Sequence, residues 1–310
     1  MNLRNPNPLQ PKFSVIIPVY NRAKMVTEAI ESVLSQSFCD FELIVVDDGS
    51  VDETPKVLEL YRDRAQIITQ RNSGPEIARN RGAEAAKGEY LVFLDSDDML
   101  MPWALTVYDA TVSAVRHPAL IVAQVVFLHQ GKQLVQRNCE AEAVIYKDFL
   151  SKDRPVYKSN STIVIRRDVF QDVEGFRYKP LPTFPCDDAD FLLRVGVRGP
   201  ALVIIKPSTV GYRTHEGNVV HEIERLVESV LSVIRSEKAG IYPGGRARLL
   251  DRYGFIGGMV FNWTKKAFSR GCVIPGLRLF ATGFPMVVAG GLRKLLIQLR
   301  GRKPTIKIKL

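Results

Sequence analysis

The chain has 310 residues, of which 46% are hydrophobic, 25% charged and 9% aromatic. This composition is typical of a globular protein with a large core, and it excludes an intrinsically disordered chain, a collagen-like repeat and a disulfide-stabilised mini-protein. The four cysteines lie far apart with no C-x-x-C pair, which argues against a zinc ribbon and favours a reducing compartment.

The net charge of +10 is unevenly distributed along the chain. Residues 235–310 contain 16 Lys or Arg and 2 Asp or Glu, a net charge of +14, so the rest carries about −4. Such a basic block indicates a polyanionic partner, either nucleic acid or an anionic membrane, although a solvated helical face has the same composition. Residues 1–11, with three prolines, are predicted to form a flexible leader and resemble neither a signal sequence nor an anchor.

Strand-like and helix-like segments alternate over the first hundred residues. Apolar, β-branched runs of strand length occur at residues 13–18, 42–46, 66–69 and 90–94. Segments with helical spacing of apolar residues lie between them, at residues 24–36, 53–64 and 76–87. Because parallel strands need crossover connections, the alternation predicts an open α/β sheet that is largely parallel and flanked by helices.

The second half of the chain has a different pattern. We expect a helix after Pro102, a hairpin from residues 120–128 and 133–137, and strands at 162–166 and 201–206, which makes the sheet mixed. Helices are predicted at residues 221–237, 246–268 and 277–299. These elements divide the chain into a leader (1–11), an α/β domain (12–215) and a basic helical region (216–310). The longest uncharged apolar run in that region, residues 279–292, is too short to span a bilayer comfortably.

Aspartates follow two of the predicted parallel strands at the point where each strand ends. Asp47 and Asp48 follow one strand, and Asp95, Asp97 and Asp98 follow another. Since ligands of open α/β sheets bind beyond the carboxyl ends of the strands, these acids would repel each other unless a cation or polar ligand lies between them. Asp95 and Asp97 are two residues apart and face the same side, as a pair of ligands for a hard divalent ion would.

Turn and cap chemistry offers an alternative for some of these acids. Asp48 precedes a glycine as in a turn, and Asp97 or Asp98 could cap the helix near Pro102. The first strand is followed by no G-x-G-x-x-G, and no G-x-x-x-x-G-K-[ST] occurs, which disfavours a Rossmann dinucleotide site and a P-loop.

Four segments, in this order, resemble the family 2 glycosyltransferases of GT-A fold: VIIPVYN (15–21), VVDDGSVDET (45–54), GPEIARNRG (74–82) and GEYLVFLDSDD (88–98). The resemblance is weaker as far as residue 215. It implies transfer of a sugar from a nucleotide-diphosphate donor, most commonly a UDP-sugar, to an acceptor hydroxyl with inversion at the anomeric carbon.

The resemblance also implies roles for individual residues. It assigns the nucleotide-sugar site to Pro18, Tyr20, Asn21, Asp48, Arg79, Asp95 and Ser96. It assigns Mn²⁺ or Mg²⁺ binding to Asp97 as the direct ligand, with Asp95 and His215 as further ligands. His215 could equally be an ordinary polar surface residue.

The base of the reaction is expected in the second half of the α/β domain. The segment CDDADFLLR (186–194) resembles the family's Glu-Asp motif with a downstream Arg, although Asp187 replaces the usual Glu. Asp188 then corresponds to the general base that removes the proton of the acceptor hydroxyl. Alternatively, Asp187 or Asp188 caps the helix that follows.

The basic helical region combines Lys and Arg with apolar faces. This pattern favours an element on an anionic membrane surface, with a helical lid or an oligomer contact as alternatives. Nucleic acid is not expected, because aromatic residues are not interleaved with the basic ones in a stacking pattern. The expected acceptor is therefore a glycan or lipid-linked glycan, and the expected location is the cytoplasm, peripheral to the inner face of the cell membrane.

Two other functions remain open from the sequence. A nucleotidyltransferase acting on sugar phosphates would share the nucleotide-binding body and paired aspartates, but it would normally have a Gly-rich basic loop after the first strand. A non-catalytic polyanion-binding protein would use the basic region and a degenerate body. The presence of Asp95, Asp97, Asp188 and Arg79 argues against such degeneracy.

Overall fold

A computed structural model describes residues 10–115, 117–128, 140–156, 159–177, 186–215 and 222–309. The predicted hairpin strand at residues 133–137 lies outside these ranges. The described strands are β1 (Phe13–Val19), β2 (Phe41–Asp47), β3 (Gln66–Thr69), β4 (Tyr90–Phe93), β5 (Met99–Leu100), β6 (Leu120–Val122), β7 (Val125–Leu128), β8 (Ala141–Tyr146), β9 (Ile163–Arg166), β10 (Ala201–Lys206), β11 (Val210–Arg213) and β12 (Ile306–Ile308).

The described α-helices connect and flank these strands. They are α1 (Ala23–Leu34), α2 (Thr54–Glu59), α3 (Pro75–Ala85), α4 (Ala104–Ala114), α5 (Arg167–Asp172), α6 (Asp187–Val195), α7 (Ile223–Lys238), α8 (Leu249–Ser269) and α9 (Val273–Arg300). The first four strands and three helices match the predicted alternation, apart from differences of a few residues at their ends, and the short β5 was not predicted.

The main sheet has nine strands in the order β12-β8-β10-β6-β9-β4-β1-β2-β3. Strand β1 pairs in parallel with both β2 and β4, and β3 extends this parallel part of the sheet beyond β2. Strand β9 runs antiparallel between β4 and β6, so the sheet is mixed. This architecture confirms the predicted α/β fold of open-sheet type.

The apolar run at residues 120–128 differs from its prediction as one strand of a hairpin. It is divided into β6, in the main sheet, and β7, which pairs with β11 in a separate three-stranded sheet. The chain changes sheets because the N–H of Ala123 donates to the carbonyl of Thr162 (2.8 Å), whereas the carbonyl of Gln124 accepts from the N–H of Thr209 (2.9 Å). The two neighbouring residues thus bond to different layers.

The core lies on both faces of the main sheet. Alternate residues of β1 point to opposite faces, so Ile16 joins one hydrophobic cluster while Val15 and Ile17 join the other. Helix α3 packs close to the sheet at Gly82, where an added Cβ would lie 2.5 Å from Cγ2 of Ile16. This close packing fixes the position of α3 relative to the carboxyl end of β1.

The C-terminal helices share a core with the α/β body. Ile234 of α7, Ile256 of α8 and Leu279 of α9 are fully buried and belong to the same cluster as Ile16. Strand β12, which the sequence did not predict, returns to the main sheet and pairs antiparallel with β8. The domain boundary near residue 216 stays a prediction. The hydrophobic packing is continuous across that position.

Helix α9 extends beyond the apolar run at residues 279–292 at both ends. The helix has 28 residues and is long and apolar enough to cross a membrane, by length and composition, with 22% of its most apolar window buried. Arg278 and Arg293 lie within this helix and bound its uncharged run, so the prediction that the run itself is too short to span a bilayer comfortably stays a prediction.

Candidate functional site

The candidate site lies at the edge of the main sheet where β1, β2 and β4 end. Val19 is paired in register with Asp47, and the N–H of Asp48 donates to the carbonyl of Val19 (2.9 Å). Strand β4 ends beside β1 at Phe93, two residues before Asp95. The parallel arrangement therefore brings the polar loops together, as predicted.

Arg79, on α3, lies between two of the predicted acids. Its Nη2 donates to Oδ1 of Asp95 (2.6 Å) and its Nη1 donates to Oδ2 of Asp187 (2.7 Å). Burial opposes its charge, but the Asp95 and Asp187 carboxylates raise the pKa of Arg79 well above its usual value. The guanidinium also lies over the ring of Phe176, with 5.5 Å from Cζ to the ring centroid. Arg79 thus joins the edge of the sheet to α6.

Asp187 is a buried partner of this arginine. Asn160 donates its amide Nδ2 to both oxygens of Asp187 at 3.1 Å. Burial raises the pKa of Asp187 to about 7, an increase that Arg79 limits. With this location, Asp187 positions Arg79 and the first turn of α6, whereas Asp188 is the less buried of the two acids.

Asp188 lies in the first turn of α6. Its N–H donates to Oδ1 of Asp187 (2.8 Å), and its own Oδ1 accepts from the N–H of Ala189 (2.6 Å). The N-cap residue is Cys186, whose side chain makes no capping hydrogen bond. Cys186 therefore occupies the N-cap position, while Asp187 and Asp188 each accept a first-turn N–H at a favourable place for negative charge.

The loop after β4 contains three aspartates, and it brings one oxygen from each of Asp95, Asp97 and Asp98 within 4.8 Å of one another. Asp98 is buried, and its carboxylate accepts hydrogen bonds from Oγ of Ser161 (2.6 Å) and from the N–H of Arg213 (3.2 Å). Burial raises the pKa of Asp98 well above its usual range, and the charges of Asp95 and Asp97 add to that rise. Three carboxylates this close fit a hard cation, which prefers oxygen ligands.

His215 and Arg22 face the middle acid of this loop. Oδ2 of Asp97 lies 3.0 Å from Nε2 of His215 and 3.5 Å from Nη1 of Arg22. Nη1 of Arg22 is also 3.3 Å from Nε2 of His215. The structure therefore brings the predicted His215 to the acidic loop through Asp97, and it adds Arg22, to which the sequence analysis assigned no role.

The side chain of Arg213, on β11, contacts backbone carbonyls of the acidic loop after β4. Its Nη2 donates to the carbonyls of Met25 (3.0 Å), Asp98 (3.3 Å) and Ser96 (3.4 Å). Its Nη1 forms an ion pair with Glu28. The buried Ser96 thus contributes its carbonyl to the support of the loop.

Asp48 organises the neighbouring loop. Its Oδ1 accepts from Nε2 of Gln70 (2.7 Å) and the N–H of Ser73 (2.9 Å), and its Oδ2 accepts from the N–H of Gly74 (2.9 Å). Gly74 has φ +100°, a conformation that favours glycine and lets the chain turn into α3. These donors use three of the acceptor positions of Asp48. The bond predicted from Asp48 to a nucleotide base stays a prediction.

The remaining predicted residues lie at the end of β1. Pro18 is in the strand opposite Val46, and Tyr20 is 44% exposed beyond it. Oδ1 of Asn21 accepts from the N–H of Val51 (2.8 Å), so Asn21 ties the first loop to the second. The nucleotide contacts predicted for these residues are untested.

Sequence analysis missed three supporting residues. Asn160 bonds to Asp187, Ser161 bonds to the N–H of Asp95 (3.0 Å) as well as to Asp98, and the buried Asp190 accepts from Nε of Arg194 (2.9 Å). For Asn160 and Ser161 the available signal was the short polar run at residues 159–162 before β9, which has no motif that the sequence analysis identified. Asp190 lies within the segment 186–194, which was identified for Asp187 and Asp188.

Asp190 is the centre of a second buried network. It forms an ion pair with Arg177, and the hydroxyl of Tyr242 donates to Asp190 (2.8 Å). Burial opposes the charge of this carboxylate, but Arg177 and Arg194 hold the pKa of Asp190 below its usual value. The network joins α6 to the segment that follows α7.

Comparisons with known proteins extend these observations. An uncharacterised glycosyltransferase of Rickettsia felis is 47% identical over 90 residues, which are 28% of this chain and 15% of the relative. A Campylobacter jejuni protein, GalNAc(5)-diNAcBac-PP-undecaprenol beta-1,3-glucosyltransferase, is 41% identical over 101 residues, 31% of this chain and 33% of the relative. The matches thus span a third or less of these relatives.

Two solved structures have a similar fold across almost the whole chain. Staphylococcus aureus TarS 1-349 in complex with UDP-GlcNAc has a TM-score of 0.57 at 18% identity, covering 94% of this chain and 92% of that one. The mannosyltransferase PcManGT of Pyrobaculum calidifontis, in complex with GDP-Man and Mn²⁺, has a TM-score of 0.55 at 18% identity, covering 93% and 88%. These similarities support the GT-A fold.

The sequence model described as glycosyl transferase family 2 matches residues 14–173, slightly more than half of the chain. The matched range runs from the second residue of β1 through β4 and contains Arg79 and the acidic loop after β4. The chain belongs to the family 2 glycosyltransferases.

Proposed function

We propose that the enzyme is a metal-dependent, inverting glycosyltransferase that moves a sugar from a UDP-sugar to a hydroxyl of a glycan or lipid-linked glycan. The observation that carries this proposal is the cluster of carboxylate oxygens from Asp95, Asp97 and Asp98 at the carboxyl end of the parallel strands. Membership of a glycosyltransferase family removes support from the nucleotidyltransferase and polyanion-binding alternatives.

Asp97 and Asp95 are the residues that would hold Mn²⁺ or Mg²⁺. Their carboxylate oxygens are ligands of the hard type that these ions prefer. A divalent cation bound there would supply positive charge for the diphosphate leaving group. His215 and Arg22 lie beside Asp97, where their donor groups can stabilise the negative charge of the diphosphate as well.

Asp188 is proposed as the general base. Transfer with inversion needs a carboxylate that accepts the proton of the acceptor hydroxyl while the hydroxyl oxygen attacks the anomeric carbon. Asp188 is only partly buried, whereas Asp187 beside it is buried against Arg79 and Asn160. The two neighbouring acids therefore have different roles: Asp187 positions Arg79, and Asp188 accepts the proton of the acceptor hydroxyl.

The nature of donor and acceptor rests on the relatives. UDP-GlcNAc is bound by TarS and GDP-Man by PcManGT, and the C. jejuni relative is named for an undecaprenol-linked acceptor. We favour UDP because it is the commonest donor nucleotide of the family. A lipid-linked acceptor would place the enzyme in the cytoplasm at the inner face of the membrane.

A nucleotide screen tests this proposal. Thermal unfolding is followed with UDP, GDP, CMP and dTDP, each with and without Mn²⁺, and metal-dependent hydrolysis of the corresponding sugar donors is followed by mass spectrometry. The proposal predicts a Mn²⁺-dependent increase in Tm with UDP and release of the sugar from a UDP-sugar. A metal-dependent shift with GDP alone would change the donor, and no metal-dependent shift with any of the four would contradict the proposal.

A further inference from the structure

The outer face of α9 is apolar and exposed along the whole helix. The large side chains that form it are spaced by three, four or seven residues, so they lie in one stripe. We call this the outer stripe; its members, between 50% and 80% exposed, are Ile274, Leu277, Phe284, Val288, Leu292 and Leu299. The stripe is about 38 Å long at 1.5 Å per residue. An exposed apolar surface of this size indicates an interaction site.

The stripe is exposed because the opposite face of α9 is fixed on the body. At Gly257 of α8, an added Cβ would lie 2.0 Å from the carbonyl oxygen of Met286, and at Gly283 it would lie 2.5 Å from Val260. Arg293 donates to Oδ1 of Asp251 (2.8 Å) and to the carbonyl of Lys152 (2.7 Å). The inner face of the helix thus packs against the body of the protein, and the outer stripe remains available to another partner.

The charge around the stripe identifies the chemistry of that partner. After Asp251 the chain has 12 Lys or Arg and no Asp or Glu. Lys265, Lys294 and Arg302 are exposed and form no salt bridge with a residue that the structure describes. A second copy of this chain would bring an equally positive region to the contact, which is electrostatically unfavourable. An anionic partner with an apolar interior meets both requirements.

We propose that the outer stripe lies in the interfacial layer of an anionic phospholipid bilayer, with the surrounding Lys and Arg at the headgroups. The helix lies flat and does not cross the bilayer. The uncharged segment between Arg278 and Arg293 is about 21 Å long, less than the roughly 30 Å of the hydrocarbon core. Crossing would also break the bonds of Arg293 to the body. This inference does not depend on the identity of the donor sugar.

Vesicle flotation with the full chain tests the apolar part of the proposal. Vesicles of equal phosphatidylglycerol and phosphatidylcholine should bind the protein, whereas phosphatidylcholine alone should bind at least tenfold less. Phe284→Ser with Val288→Ser should lower the partition coefficient about 100-fold. The matched control, Leu60→Ser with Ile241→Ser, changes two exposed apolar residues elsewhere and should bind as wild type does.

A second pair of variants tests the charges. Lys265→Gln with Lys294→Gln should lower binding to the anionic vesicles about 25-fold. Lys87→Gln with Arg198→Gln removes the same net charge from exposed positions of the body and should have little effect. Equal loss in both pairs would show a general charge effect and overturn the assignment of the surface.

Three other results would overturn the proposal. Equal binding to neutral and anionic vesicles would remove the headgroup contact. Retention of the bound protein through alkaline carbonate extraction would show a spanning helix. A dimer that Phe284→Ser with Val288→Ser dissociates, without lipid binding by the wild type, would assign the stripe to a second copy. Circular dichroism and Tm of each variant exclude misfolding as the cause of lost binding.

Discussion

The acidic edge of the sheet and the basic α8–α9 hairpin deal with charge in opposite ways. At the sheet edge, Asp95 is paired with Arg79, Asp97 lies beside His215, and Asp98 accepts from Ser161. In the hairpin, no acid follows Asp251 to balance the basic residues. Acids that are held by internal partners form a rigid array suited to a small ligand. Unbalanced basic residues on an exposed apolar surface suit an extended external partner.

The largest effect that would sharpen this contrast is expected at Asp188. Asp188→Asn keeps the size of the side chain but cannot accept the proton, so transfer should fall about 10²–10⁴-fold while donor binding persists. Initial rates and nucleotide titrations with the purified variant measure the two effects. Asp172→Asn, an exposed acid on α5, is the control and should have wild-type rates. Near-normal transfer by the Asp188 variant would move the base elsewhere.

Removal of Arg79 tests whether the acidic region depends on internal compensation. Arg79→Met leaves the buried Asp187 and the half-buried Asp95 without their shared cation, which should lower the free energy of unfolding by about 3–5 kcal/mol. Urea unfolding measures the loss. Arg81→Met on the same helix removes only an exposed pair with Glu84, so it should cost less than about 1 kcal/mol. Similar losses in both variants would show that Arg79 is not the centre of the network.

Asp187 gives the acidic region a pH dependence. Its pKa of about 7 in the folded protein exceeds the value of about 4 in the unfolded chain, so the folded state binds the proton more tightly. Its contribution to stability is therefore largest below pH 4 and declines as the pH rises towards 7. Relative to wild type, Asp187→Asn should gain about 1–4 kcal/mol between pH 4 and pH 7. Urea unfolding across that range checks this gain, and a difference independent of pH would contradict it.

The packing that exposes the outer stripe is tested at two adjacent glycines of α8. Gly257→Ala introduces a Cβ against the carbonyl of Met286 and should lower stability by about 1–3 kcal/mol. Gly258→Ala meets no atom within 4 Å and should raise stability by about 0.5–1 kcal/mol, because alanine favours the helix. Thermal or urea unfolding distinguishes the two. Equal effects would show that α9 does not pack on α8 as described.

The parallel half of the fold and the acids of the site were predictable from the sequence. Strand-length runs that end in Asp48 and Asp95 place these residues at one edge of a sheet, whatever the remaining topology. The partner of Arg79 was not predictable, since Asp187 lies 108 positions away and is brought close only by the packing of α6. The roles of Asn160 and Ser161 depend on the same long-range packing.

The C-terminal region was harder to predict because its elements are defined by distant partners. The three residues of β12 form a strand only by pairing with β8, and the sequence 306–308 is short, with Lys307 at its middle and Lys309 after it. Likewise, the run at residues 120–128 is predominantly apolar throughout. Its two halves nevertheless lie in different sheets, because backbone bonds link one half to Thr162 and the other to Thr209. Local propensity carries no information about either outcome.

The most direct test of the account is calorimetric titration of UDP into the wild type and into Asp97→Asn, with and without Mn²⁺. If the clustered carboxylates hold a cation that binds the diphosphate, Mn²⁺ should tighten UDP binding to the wild type at least tenfold and leave the variant unchanged. Asp172→Asn, with its exposed acid, should respond as the wild type does. Equal tightening by Mn²⁺ in Asp97→Asn, or none in the wild type, would contradict the account.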